Sequence, residues 1–292
     1  MPISDLLAPD EIECIAAGFR FTEGPVWHPD GYLLFSDIPA SRIYRWTPAH
    51  GVTLFREPGD SNGLTFDRQG RLLVCEQLKR RVTRTEPDGQ VVVLAERYRG
   101  KRLNKPNDIV VKSDGSIYFS DPPYALLPPA EQELSFQGVF RLASDGTLTV
   151  VADDFIKPNG LAFSPDESIL YVDDSDRDHV RAFDVRPDGT LTNSRVLAET
   201  RLPGYGPKGT RKVNIGSVDG MKVDVEGNLY VTGPGGLWLF RPDGTRVGHL
   251  VLPEIPANCA WGDADYRTLY ITARTSVYRL RGKIPGIPAL PR

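Results

Sequence analysis

Glu23, Asn62, Asn107, Asn159, Asp219 and Asn258 take the same place in six related segments of the chain. The segments read EGPVWHPDGYLLFSDI, NGLTFDRQGRLLVCEQ, NDIVVKSDGSIYFSDP, NGLAFSPDESILYVDD, DGMKVDVEGNLYVTGP and NCAWGDADYRTLYITA, and they align without gaps. Every one of these six residues carries a side-chain oxygen acceptor; no hydrophobic, basic or hydroxyl side chain appears there. Taken singly, Asn and Asp are ordinary turn residues, because they bond to their own backbone. Turn chemistry accepts Ser, Thr or Gly as readily, and it gives no place to Glu23. Gathered at one point, such oxygens match a hard divalent cation. Ca2+ takes carboxylates, amide carbonyls and water. The nitrogen and sulfur ligands of softer metals are missing from all six places.

The elements that must gather them follow from the spacing. Eight residues beyond Glu23, Asn62, Asn107 and Asp219 stand Gly31, Gly70, Gly115 and Gly227. The fourth copy reaches Glu167 after Pro165-Asp166, and the sixth reaches Tyr266. The first five of these read as hairpin turns, four of them using glycine for positive φ. An alternating apolar strand follows each turn, then a third strand such as Arg42-Ile43-Tyr44-Arg45-Trp46. A second turn comes next, as in Pro87-Asp88-Gly89 and Pro242-Asp243-Gly244, and a short fourth strand. Four antiparallel strands recurring every 39 to 60 residues predict an all-β, six-bladed β-propeller. Its innermost strands converge on a central channel, which would bring the six residues into a ring. The reading is one domain over residues 1–292, with blades over about 11–282 and a poorly ordered Pro-rich tail, 283–292. Two long loops, Ala125–Gln137 and Pro203–Ser217, are candidates for functional segments.

Composition narrows the partners. The chain has 292 residues, 40% of them hydrophobic, and a formal net charge of −3. No basic stretch tracks a phosphate backbone, so nucleic acid is not an expected partner. No segment is long and apolar enough for a membrane span, and MPISDLLAPDEIECIAAG lacks the basic start and apolar stretch of a signal peptide. Three scattered cysteines, Cys14, Cys75 and Cys259, argue against a disulfide framework and for a reducing compartment, the cytoplasm. Oligomeric state leaves no trace in the sequence.

A second set of acids ends the following strand: Asp37, Glu76, Asp121 and Asp174. A solvated rim is the plain reading. Asp121 stands out because Pro122-Pro123 stiffens the chain beyond it.

The segments FTEGPVW, SNGLTFD, LNKPNDIVV with GSIYFSDPPY, and KPNGLAFSPDESILYV resemble the SMP-30/gluconolactonase/LRE family over about residues 11 to 282. The resemblance implies a six-bladed propeller with one divalent cation in its channel, Ca2+ first, with Mg2+, Mn2+ or Zn2+ as alternatives. It implies lactone hydrolysis, or organophosphate hydrolysis in some relatives. It makes Glu23, Asn107, Asn159 and Asp219 the metal ligands, with Asp219 also the catalytic base and Asp121 the second candidate. Asn62 and Asn258 then face substrate or support the ligands. One branch of the family has a substrate-binding Arg near its first Asn. Here the run Lys101-Arg102-Leu103-Asn104-Lys105-Pro106-Asn107 has a different spacing, so Arg102, Asn104 and Lys105 all stay candidates.

The expected activity is hydrolysis of a small-molecule sugar lactone to its aldonic acid, a gluconolactonase-like reaction at a cation. Asn62, Arg102, Asn104, Asn107 and Asn258 are the substrate-binding candidates, and Gly204–Gly209 is a candidate lid. Phosphotriester hydrolysis at the same site and a non-enzymatic propeller with a structural Ca2+ stay open. A serine esterase is disfavoured: no G-x-S-x-G elbow is present. Of the four histidines, His179 is the candidate for the channel mouth, and His28, His50 and His249 are expected at the surface.

Overall fold

The repeat units fold as six four-stranded antiparallel sheets. The computed structural model of the chain describes residues 2–123, 131–205 and 214–290. Blade 1 runs Thr22–His28, Tyr32–Asp37, Arg42–Thr47, Gly51–Arg56, and blade 2 runs Leu64–Phe66, Leu72–Glu76, Arg81–Thr85, Val91–Ala95. Blade 3 runs Ile109–Val111, Ile117–Asp121, Gln137–Leu142, Leu148–Phe155, and blade 4 runs Pro158–Phe163, Ile169–Asp174, His179–Val185, Leu191–Glu199. Blade 5 runs Met221–Val223, Leu229–Gly233, Gly236–Phe240, Arg246–Val251. Blade 6 takes three strands, Pro256–Gly262, Thr268–Ala273 and Ser276–Arg281, from the end of the chain and its outermost strand, Glu13–Ala17, from the beginning. Each innermost strand packs against the innermost strands of its two neighbours, and the last meets the first. The ring is closed, and the N-terminal strand fastens it.

The turns carry the register. Gly31, Gly70, Gly115 and Gly227 have φ of 87°, 78°, 85° and 84°. Glu167 and Tyr266 occupy the same place with φ of 57° and 52°. All six turns therefore use the left-handed region, two of them without glycine. Glu167 is held there by Ser113, whose backbone N–H donates to it at 2.8 Å, and by Arg68 at 3.3 Å and Lys112 at 3.4 Å.

The core is divided among the blade interfaces. Tyr118 and Val139 of blade 3 meet Leu161, Phe163 and Leu170 of blade 4. Trp27, Leu33 and Phe35 of blade 1 meet Ala260, Tyr270 and Val277 of blade 6. The alternating strands bury one face against each neighbouring blade, so the propeller needs no helix to cover it.

The C-terminal segment is not a loose tail. Val225 N–H donates to Pro285 O at 2.9 Å, Ile287 N–H to Val223 O at 3.1 Å, and Gly286 N–H to Tyr266 O at 2.8 Å. A Cβ on Gly286 would lie 1.7 Å from Trp261 Cγ. From blades 5 and 6 the segment crosses the channel to blades 1 and 2, where Ala289 and Leu290 pack on the cluster of Val26, Leu64 and Phe66. Apolar Ile284, Ile287 and Leu290 drive this docking, which a reading of Pro content alone overlooks. Truncation after Gly282 is expected to cost roughly 2–4 kcal/mol, about that of three half-buried aliphatic side chains, and to increase dye binding to apolar surface. Denaturant unfolding and dye fluorescence of the truncated chain measure both; unchanged values would show that the strap contributes nothing. Residues 125–130 and 206–213 of the two long loops lie outside the described residues.

Candidate active site

The six repeated residues do form a ring at one end of the channel. Their inner strands approach so closely that the next residue is glycine in four blades: Gly24, Gly63, Gly160 and Gly220. A Cβ on Gly63 would lie 2.4 Å from Asn107 O, and one on Gly160 would lie 2.2 Å from Asp219 O. Gly63 N–H instead donates to Asn107 O at 2.7 Å and Gly160 N–H to Asp219 O at 3.1 Å, blade to blade. The residue before each glycine is thereby held at the channel.

Five of the ring residues are buried; Asp219 is partly exposed. Asn159 Nδ2 donates to Asp219 Oδ1 at 2.5 Å, across blades 4 and 5. Asn62 Nδ2 donates to Gln77 Oε1 at 3.2 Å. Glu23 Oε2 accepts the Gly24 N–H at 2.5 Å, and the Asn258 amide faces the same carboxylate. Asn258 Oδ1 accepts the Cys259 N–H at 2.8 Å and Lys222 Nζ at 3.4 Å.

The electrostatics are those of crowded, buried acids. Burial pushes Glu23 up to about 7, against the Gly24 amide, while Asp108 adds like charge and Lys222 offsets part of it. Asp173 is raised well above the usual carboxylate range by burial and by Asp219, Asp108 and Asp174. Among the described residues, Asn62 Oδ1 and Asp108 Oδ2 are buried with no hydrogen-bond donor. A buried acceptor without a partner costs about 1–3 kcal/mol. No three His, Cys, Asp or Glu side chains gather at one point among the described residues. The donors are therefore two carboxylates, Glu23 and Asp219, supplemented by amide oxygens. Turning the Asn159 amide end for end presents its oxygen in place of its nitrogen. This set fits a hard divalent ion.

The second set of acids does something else. Asp37 accepts the N–H of Arg20 at 3.1 Å and of Phe21 at 3.0 Å. Asp174 accepts those of Ile156 at 2.9 Å and Lys157 at 3.2 Å. Asp121 accepts the Asn104 N–H at 2.7 Å, and the Lys105 N–H faces it too. In all three blades the carboxylate clamps the backbone two and three residues before the ring residue. Glu76 differs: it pairs with Arg81 at 2.6 Å and accepts from Thr83 at 3.1 Å. Asp121 has 0% exposure.

Burial pushes Asp121 up to about 7, although the Asn104 and Lys105 amides and Arg80 pull it down. In the unfolded chain its carboxyl ionises near ~3.9. The folded form holds the proton more tightly, so this contribution to stability is full below about pH 4 and is lost as pH rises through about 7. Asp121→Asn cannot ionise and still offers an acceptor to the clamp. Between pH 4 and pH 8 its stability relative to the wild type is expected to rise by roughly 2–4 kcal/mol. Urea unfolding at both pH values checks this, and a variant that loses ground at pH 8 would contradict it.

Other residues fall away from the ring. Arg102 lies on a two-stranded hairpin, Arg97–Tyr98 with Lys101–Arg102, and its side chain donates to Lys79 O at 3.2 Å. Asn104 is fully buried, its amide donating to Asp121 O and Phe136 O at 3.0 Å each. Both support the segment leading to Asn107. His179 begins the third strand of blade 4, paired with Asp174 and Glu199. His28 stacks on Tyr32 and His249 packs on Trp238, so neither is a bare surface group.

A pocket of about 460 Å3 opens at the ring's mouth, lined by Asp219 with Arg20, Phe21, Asn214, Ser217 and Arg274 among others. Of the candidate lid, Gly204 and Tyr205 are described; Gly206–Gly209 lie outside the described residues.

The ring column of the sequence does not point to Asp108, Asp173 or Lys222. For Asp108 and Lys222 the signal is in the same alignment. Asp108 stands where four copies have glycine. Asp173 is hidden by register: the ungapped alignment sets it beside Asp37, Glu76 and Asp121, whereas Asp174 pairs with Pro158 as Asp37 pairs with Thr22, which puts Asp173 in the place of Ser36. Lys222 stands where they have Val26, Thr65, Val110, Ala162 and Trp261.

The chain is a closed six-bladed propeller with one oxygen-bearing side chain per blade around the channel mouth. The chain belongs to the SMP-30/gluconolactonase/LRE-like family, whose model matches residues 21–275. It is 38% identical to the gluconolactonase of Zymomonas mobilis over 94% of this chain and 82% of that one. It is 29% identical to rabbit (Oryctolagus cuniculus) regucalcin over 90% and 86%. The solved gluconolactonase of Xanthomonas campestris superposes with a TM-score of 0.83 at 34% identity, covering 96% of this chain and 92% of that one.

Proposed function

We propose that the protein hydrolyses a sugar lactone of the aldonolactone class, such as glucono-1,5-lactone, to the open acid at the channel mouth. It is an enzyme of the lactonase type, as its likeness to gluconolactonases supports. The observation that carries the site assignment is exposure. Asp219 is the ring carboxylate that opens on the mouth pocket, whereas Asp121 is sealed behind its clamp.

Glu23, Asn107, Asn159 and Asp219 would hold a divalent cation, Ca2+ before the others on the chemistry of the donors. When bound, it supplies Lewis-acid polarisation of the lactone carbonyl and offsets the charge that develops on its oxygen. Asp219, whose backbone is fixed by its N–H donating to Thr232 O at 3.0 Å, takes the proton of the attacking water. The ring C–O bond then breaks, and the same proton passes to the departing alkoxide. Asn62, whose Oδ1 has no hydrogen-bond donor among the described residues, keeps capacity toward the sugar hydroxyls, Asn258 is taken up by Lys222, Cys259 and Glu23, and Arg102 and Asn104 act by holding the chain before Asn107. The cytoplasm remains the expected compartment; among the described residues no helix is long and apolar enough to cross a membrane.

A substrate panel tests this reading. Cation-loaded protein is expected to turn over aldonolactones well above their spontaneous hydrolysis, and to act more slowly on a nitrophenyl phosphotriester. Preference for the phosphotriester, or no lactone turned over at all, would overturn it.

A further inference from the structure

Three residues beyond the ring, the inner strands place Val26, Thr65, Val110, Ala162, Lys222 and Trp261 around a cavity of about 260 Å3. All six blades line it, and Ile287, Pro288 and Ala289 of the C-terminal strap close its far side. Five of the six residues in this layer are uncharged. Lys222 alone carries charge, and it is partly buried.

Its hydrogen bonds run toward the ring and away from the apolar walls. Lys222 Nζ donates to Met221 O at 2.9 Å and to Asn258 Oδ1 at 3.4 Å. Asn258 spends its oxygen on Lys222 and Cys259, so its amide nitrogen is left facing Glu23. The fixed sequence of contacts is ammonium, Asn258, Glu23. Asp108 and Lys222 both act electrostatically on Glu23, and all three act on Cys259, so they share one neighbourhood.

We propose that Lys222 is the ring's built-in counter-cation: a positioning residue that orients Asn258 and sets how tightly the ring binds its divalent ion. Without an ion, the ammonium is the positive charge against which Glu23 and Asp108 are tolerated in a buried place. With an ion, it is a like charge a short way beneath, and it holds the affinity down. The uncharged residues that the other five blades of this chain carry at this layer show that packing does not require a lysine there. This inference rests on the reading of the ring as a cation site.

The test uses metal-stripped full-length protein and Ca2+ or Mn2+ as the probe, read by calorimetric titration and by thermal unfolding. Lys222→Met removes charge and hydrogen bond; Lys222→Gln removes charge and keeps a donor for Asn258; Lys222→Arg keeps charge. The Met and Gln variants are expected to bind the ion on the order of tenfold or more tighter. They should also show a larger rise in Tm on loading, with Arg close to wild type. If Met does not fold, Gln carries the comparison. Equal or weaker binding in the neutral variants, with wild-type binding intact, would overturn the counter-cation role alone. Failure of the wild type to bind any divalent ion would overturn the cation ring and this inference with it.

Discussion

Asp219→Asn is expected to lower kcat on glucono-1,5-lactone by roughly a thousandfold, within the 10²–10⁴ range typical of a lost general base, while the protein stays folded. The substitution keeps shape and an oxygen acceptor for the Asn159 amide, so the 2.5 Å link between blades 4 and 5 has a replacement. What it removes is the ability to take a proton, together with one of the ring's two carboxylates. The backbone of Asp219 is held independently, its N–H donating to Thr232 O at 3.0 Å and its carbonyl accepting from Gly160. Steady-state kinetics with circular dichroism as the control make the measurement. A variant within tenfold of wild type would place the base elsewhere. In the same assay Asp121→Asn is expected to stay near wild type, because that carboxylate is occupied with the amides before Asn107.

Glu23→Gln is expected to separate binding from folding. Glu23 is 3% exposed and sits beside Asp108, with Lys222 as its nearby positive charge. Removing its charge takes away half of the ring's carboxylates, and cation affinity should fall on the order of a hundredfold or more, since charge count sets affinity at oxygen sites. The metal-free variant should be at least as stable as the metal-free wild type, because an awkwardly buried charge has gone. The wild type should gain about 2.7 kcal/mol at an ion concentration of 100 times Kd; the variant should gain almost nothing at that concentration. Paired melting curves with and without Ca2+ show the difference. Equal gains in both proteins would remove Glu23 from the ligand set.

The parts of the fold written locally were readable. Each hairpin turn needs positive φ at one place, and glycine marks it in four blades. Glu167 and Tyr266 reach the same conformation through contacts from elsewhere, such as Ser113 to Glu167, which no local pattern displays. Ring membership was readable because equivalent inner-strand positions must converge once the propeller closes. The role of Asp121 was not readable. A carboxylate clamping backbone 17 residues earlier looks the same in sequence as one facing solvent or substrate. The N-terminal strand closing blade 6 and the C-terminal strap were hidden for the same reason: both partners lie at the opposite end of the chain or across the channel. Lys222 is visible as a break in an otherwise neutral column, whereas Asp173 is masked because the ungapped alignment sets it beside Asp37, Glu76 and Asp121.

The most direct single measurement is lactone hydrolysis by metal-stripped wild-type protein before and after a divalent ion is restored. Acid release from glucono-1,5-lactone should fall to the spontaneous rate on stripping and return with Ca2+ or Mn2+ in proportion to the ring's occupancy. Full activity in thoroughly stripped protein would contradict the account, because the ring would then have no part in the reaction.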